Sequence, residues 1–165
     1  MKKIILISFL IISYVMPESI MAQNIYYQDC IIINDICHVN NAPFTGRILS
    51  PKNKGYIDVR NGRILASCCI YPTGKPAMKQ IQTSKERGIF YYYDKSGNLL
   101  LEQKTYKGYA SDKKLYRQGG TEITPNTDEY NKRLEVVYKY IRENIIPLRD
   151  IAYSEMRSEI LRSTE

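Results

Sequence analysis

Tryptophan is absent from this chain, histidine occurs once and phenylalanine three times. A Ser-His-Asp or Cys-His catalytic arrangement would have to use His38, which directly follows Cys37. Consecutive side chains on an extended strand point apart, so His38 reads as a polar residue beside a cysteine rather than as a general base. Paired C-x2-C knuckles are missing. The order Cys37-His38, then Cys68-Cys69, does not match structural zinc spacing. No phosphate loop or dinucleotide fingerprint occurs, and Gly119-Gly120 reads as a linker. Asp128-Glu129 are explained as first-turn helix charges, and Glu86 and Glu102 as solvated positions. No catalytic residue, cofactor or metal is therefore expected. The formal charge is +7, yet the basic residues are scattered, with Lys113-Lys114 and Lys132-Arg133 only as pairs. That pattern suits a solvated basic surface and argues against a dedicated nucleic-acid site.

What the N-terminus does have is the order of a secretory signal. Lys2-Lys3 precede an apolar run from Ile4 to Val15, Pro17 and Glu18 break it, and Ala22 supplies a small residue before a cut. The run is shorter than the roughly 20 apolar residues of a membrane span. Residues 1–22 are expected to be a cleaved signal peptide, and the mature chain to be exported, periplasmic or extracellular. No later stretch is apolar enough to cross a bilayer. Cys30 lies too far from the run to be a lipid-modified N-terminus.

Fifteen tyrosines take the place of other aromatics, which fits half-buried strands where a ring packs and a hydroxyl reaches water. Cys30-Ile31-Ile32-Ile33 reads as a buried strand ended by Asn34-Asp35. Phe44 to Ile48 starts another that Pro51 ends. A 35-residue offset then superposes Tyr56 on Tyr91, Gly62 on Gly97, Ile64-Leu65 on Leu99-Leu100 and Tyr71 on Tyr106. Asn61-Gly62 is the signal of a type I′ hairpin, because both central residues of that turn need positive φ. Further turns at Gly74, Gly97 and Gly108 imply strands of about six residues in an antiparallel meander.

Beyond Gly120 the periodicity changes. Tyr130, Leu134, Val137, Ile141, Ile145 and Leu148 recur at three- and four-residue steps, which marks an amphipathic helix. Thr124 is the expected N-cap with Pro125 at the first helical position. Pro147 is expected to break or kink the helix, with Leu148 to Leu161 following as a second one packed through Ile151, Ala152, Met156 and Ile160. The fold class is thus α+β: an antiparallel meander of repeated β-hairpins, residues 23–120, followed by C-terminal helices, residues 121–165, expected to dock on the uncovered face of the sheet, the alternative being that their stripe pairs with another chain.

Two groups of residues are candidates for function. Cys30, Cys37, Cys68 and Cys69 would form disulfides in an oxidising compartment. Cys68 and Cys69 are adjacent and point to opposite faces, so the expected pairings join Cys30 and Cys37 to Cys68 and Cys69 in either order. The alternative is that some remain buried thiols. Tyr56, Tyr71, Tyr91, Tyr93 and Tyr106 would form a stacking face for sugars, peptides or head groups, or else fill the core.

Phe44-Thr45-Gly46, the segment Gly88 to Leu100 with Glu102, and Asn61 to Leu65 with Ile70 to Lys75 resemble the MORN-repeat variant of bacterial proteins labelled antitoxin-like, over residues 44–108. Phe90 stands where that pattern has tryptophan. The resemblance implies a hairpin-repeat fold far more than an activity. Three readings follow: a non-enzymatic interaction module of the envelope with an unknown protein or envelope partner, a secreted enzyme or enzyme inhibitor, and a structural component assembling through a sheet edge. Export makes the first prediction. The natively expressed protein should begin at Gln23 by intact mass, and full-length protein in the cytosol would sink the compartment.

Overall fold

The computed structural model describes residues 23–33, 36–50 and 53–152. Residues 1–22, read from sequence as a signal peptide, Asn34-Asp35, read as a turn, and Pro51, Met156 and Ile160 lie outside them. Among the described residues eleven strands form two sheets. The larger is ordered β1 (Gln23–Tyr26), β5 (Gly46–Leu49), β6 (Gly55–Arg60), β7 (Arg63–Ile70), β8 (Pro76–Gln82), β9 (Arg87–Tyr93), β10 (Leu99–Tyr106) and β11 (Tyr109–Leu115). From β5 onward every neighbour is antiparallel and sequential, as the turn spacing predicts, and only β1 joins in parallel. The smaller sheet is β2 (Ile31–Ile33), β3 (Ile36–Val39) and β4 (Ala42–Pro43).

Register decides which face of the meander is covered. Cys69, Met78, Tyr92, Leu101 and Leu115 are successive cross-strand partners from β7 to β11, so all five point to one side. On that side they join Val137, Ile141 and Ile145 of the C-terminal helix in one core. Fully burying a Leu or Ile there contributes about 1.5–3 kcal/mol. Ile25, Ile48 and Ile57 are partners in a row across β1, β5 and β6 on the same side. They meet Cys30, Cys37 and Phe44, which come from the small sheet and its connections, in a second core. The helix and the small sheet therefore lie side by side on one face. The opposite face carries no covering element among the described residues.

The helix is α1 (Asp128–Tyr140), a π-turn at Ile141–Ile145 and helical residues 146–152. The interruption expected at Pro147 takes the form of that π-turn. The Ile146 N–H reaches back five residues to the Ile141 carbonyl. A π-turn just before a proline accommodates the missing N–H and the ring's clash with the preceding turn without ending the helix. Beyond it Ala152 is buried and Ile151 exposed, so only one of these two joins the core. The N-cap is Thr127, not Thr124. Thr127 Oγ1 accepts from the Tyr130 N–H, while Asn126 at positive φ completes the turn begun at Pro125. The Ile31 and Ile33 side chains are exposed, because β2 belongs to a thin three-stranded sheet rather than to the buried interior.

The 35-residue repeat is real in register but not in orientation. Tyr56 and Tyr91 occupy one cross-strand row, linked through Cys68 and Lys79. The offset spans three strands, and an odd number of antiparallel steps reverses the chain. The Gly62 and Gly97 turns consequently point to opposite ends of the sheet. Gly97 lies beside Lys75, whose Nζ donates to the Ser96 carbonyl at 2.6 Å. Gly62 lies against the small sheet: its N–H donates to the Phe44 carbonyl at 2.7 Å and its carbonyl accepts from Cys37 at 2.8 Å.

Asn61 and Gly62 have φ of 49° and 74°, the pair of positive values a type I′ turn needs. A Cβ on Gly62 would also run into Ile36 Cγ2 and the Cys37 carbonyl. Gly108, at φ 84°, has nothing near its missing Cβ. Gly108→Ala should therefore cost only the left-handed backbone, about 1 kcal/mol, and Gly62→Ala about 2 kcal/mol or more. Urea melts of the two variants check this. Equal losses would mean that the small sheet is not seated on the turn.

Candidate functional site

The uncovered face is built by the side chains that alternate with the core. One row runs Tyr26, Leu49, Tyr56, Cys68, Lys79, Tyr91, Glu102 and Lys114, one residue from each of the eight strands. At about 4.8 Å per strand the row is about 34 Å long, and Tyr56 and Tyr91 stand about 14 Å apart. Below it runs a second row with Arg47, Asp58, Ile89, Lys104 and Asp112. Rings and charges of both signs are thus interleaved on a broad surface.

One cluster on it is centred on Tyr56. Arg47 and Asp58 are directly opposed on β5 and β6 and make a two-pronged ion pair, Nε–Oδ1 2.7 Å and Nη2–Oδ2 3.1 Å. That hydrogen bond to Asp58 holds the Arg47 pKa up. The same guanidinium lies 3.7 Å from the Tyr56 ring centroid. Burial, and then the neighbouring Cys68 sulfur, push the Tyr56 hydroxyl up to about 12. Burial likewise raises Cys68, partly offset by the Tyr56 hydroxyl bonded to it. Tyr56 is therefore a neutral, pre-positioned ring with a protonated hydroxyl across the physiological range. At the other end Tyr116 is raised by burial and by Glu102 and Glu122.

Of the five tyrosines singled out from sequence, Tyr56, Tyr91 and Tyr93 lie on this face. Tyr106 does too, at its far end, 44% exposed, with Arg87 and Lys107 within 5.5 and 5.4 Å of its ring centroid. Tyr71 does not. It is 2% exposed, in the core beneath the helix, donating to the Tyr93 carbonyl at 2.8 Å and meeting the Tyr140 hydroxyl at 3.3 Å. Its repeat equivalent Tyr106 stays outside because alternation along β10 turns it to the uncovered face, whereas Tyr71 turns to the side that the helix covers. Tyr26, Arg47, Asp58 and Tyr116 were not singled out. Arg47 and Asp58 are eleven residues apart, and only the β5–β6 register pairs them.

All four cysteines are buried free thiols. The sheet itself separates Cys68 from the other three, and Cys69 belongs to a different core from Cys30 and Cys37 on the same side. Cys69 lies under the helix, Cys68 on the opposite face, and Cys30 and Cys37 in the second core. Pairing of Cys30 or Cys37 with Cys68 would have to pass through the sheet. Cys30 and Cys37 are each other's neighbours: Ile32 pairs with Cys37, so Cys30, two residues before, shares its face. Contact with Cys37 holds the Cys30 thiol well above its ordinary range, with burial adding to it, and lowers Cys37. Burial pushes Cys69 up to about 12. His38 is half-buried, its Nδ1 donating to the Ile36 carbonyl at 2.9 Å. Among the described residues no group of three or more His, Cys, Asp or Glu is placed to hold a metal, and no helix is long and apolar enough to cross a membrane.

Mild oxidation with a disulfide donor should thus yield one bond, Cys30–Cys37, and leave two thiols. Peptide mapping without reduction reads this out. A peptide linking Cys68 or Cys69 to the N-terminal pair would overturn the placement of these thiols. Comparison of the chain with protein-family models, with curated proteins and with solved structures finds no match in any of the three.

Proposed function

We propose that this protein is an exported, non-enzymatic interaction module of a bacterial envelope that presents the uncovered face of its sheet to a partner. One observation carries the reading. A face of eight strands holds tyrosines at fixed spacing, set among paired charges, with no described element over it. Tyrosine and arginine are the side chains that contribute most at recognition surfaces, because a rigid ring covers area at little entropic cost and a guanidinium both stacks and hydrogen-bonds. The Arg47–Tyr56–Asp58 cluster is already in place without a partner, which lowers the ordering cost of binding. The secretory order of residues 1–22 supports the compartment, and the likeness of residues 44–108 to the MORN variant agrees with a hairpin sheet used for contact.

The test uses the mature protein as bait on envelope extract beside a Tyr56→Ala/Tyr91→Ala variant. Both rings are on the open side, so the variant should keep the wild-type far-ultraviolet spectrum and a cooperative melt. Proteins retained by the wild type should be lost from the variant at least tenfold. Retention of the same proteins by a folded variant would remove this face as the binding surface.

A further inference from the structure

On the covered side of the sheet, away from the tyrosine face, a cleft of about 430 Å³ opens between the helix, the β9–β10 turn and the loop after β11. That volume lies in the range of small-molecule sites, about 300–1,000 Å³. Its helical wall is one column of α1, with Glu129, Arg133, Val136 and Tyr140 at four- and three-residue steps. Leu100 and Ile123 form the floor, both buried. Val136 stands on the wall 58% exposed, an apolar side chain with nothing laid over it.

Arg133 is the residue out of balance. Its Nε is buried and has no hydrogen-bond partner among the described residues. Two carboxylates line the same cleft, and both are already engaged. Glu129, one helical turn before Arg133 and its natural i,i+4 partner, gives both oxygens to Arg117, at 2.7 and 2.6 Å. Asp94 uses Oδ1 for the Ser96 and Asn98 N–H groups, at 2.8 and 2.9 Å, and Oδ2 for the Asn98 side chain at 2.8 Å. The turn and the loop consume the local acceptors, and a guanidinium remains beside an apolar floor. Buried donors are nearly always paired. The Arg133 Nε is closed to solvent, so an acceptor entering the cleft would meet this guanidinium at its two terminal nitrogens. A planar carboxylate suits a guanidinium fork better than any other common group.

We propose that this cleft is a binding site for a small monocarboxylate with an apolar body, its carboxylate held by Arg133 and its body laid along Val136, Leu100 and Ile123. The site is independent of the tyrosine face, which is on the other side of the sheet. A neutral ligand of the same shape would fill the apolar part and leave the guanidinium unmet.

The test measures binding of 4-phenylbutyrate and of its neutral amide to the mature protein by calorimetry. Wild type should bind the carboxylate at least tenfold more tightly than the amide, and the carboxylate should raise the melting temperature. Arg133→Gln should lose at least tenfold in carboxylate affinity, with the amide unchanged. Arg133→Lys, which keeps charge and loses the fork, should fall between. Without ligand, Arg133→Gln should melt no lower than wild type, since it removes a donor that has no partner. Absence of binding at millimolar carboxylate, equal affinity for acid and amide, or a destabilised Arg133→Gln protein would each overturn the assignment.

Discussion

Val137, Ile141 and Ile145 rest on a row of side chains supplied by five consecutive strands, from Cys69 on β7 to Leu115 on β11. An antiparallel meander of this length cannot be stable with both faces wet, because its apolar alternation has to be buried somewhere. The helix closes the end made by the later strands, and the small sheet closes the earlier end around Ile25, Ile48 and Phe44. Once one face is committed in this way, a shift of a single residue in any strand would turn its core side chains to water. The register is thereby held along the whole sheet.

The character of the other face follows from the same constraint. Residues that alternate with the core are free to be polar, and here they are tyrosines and opposed charges such as Arg47 with Asp58 and Lys104 with Asp112. Exposed ion pairs of this kind add little stability, a fraction of a kcal/mol. They keep a broad, ring-bearing surface soluble and free of the continuous apolar patch that invites aggregation. The edge strand β11 is protected in the same manner, by Asp112, Lys113 and Lys114 and by a bulge against β10. The sheet also acts as a wall between thiols, since Cys68 and Cys69 are adjacent in the chain and lie on opposite sides of it.

The helix has a second consequence. Its buried stripe faces the sheet, and the neighbouring column, from Glu129 to Tyr140, faces the turn at Asp94 and the loop at Arg117. Pairing Arg117 with Glu129 ties that loop to the first turn of the helix and leaves Arg133 without its usual partner. The helix thus covers one side of the sheet, borders a cleft there, and leaves the tyrosine face on the other side open.

Much of the architecture was legible in the chain. Asn61-Gly62, Gly97 and Gly108 marked turns because positive φ is a local property of the residue. The three- and four-step stripe from Tyr130 to Ile145 marked a helix because periodicity is local as well. Alternation put Tyr56, Tyr91 and Tyr93 on strands, and adjacency put Cys68 and Cys69 on opposite faces. What the sequence alone could not decide is which strand lies beside which, and what covers each side. The Arg47–Asp58 pair depends on the β5–β6 register. The burial of Tyr71 against the exposure of Tyr106 depends on which side of the sheet the helix covers. The separation of Cys30 and Cys37 from Cys68 depends on the sheet lying between them. The unmatched Arg133 depends on Arg117 reaching Glu129 across a loop. Each of these is a contact between residues distant in the chain, and such contacts are set by the burial of the whole molecule, which no local pattern encodes.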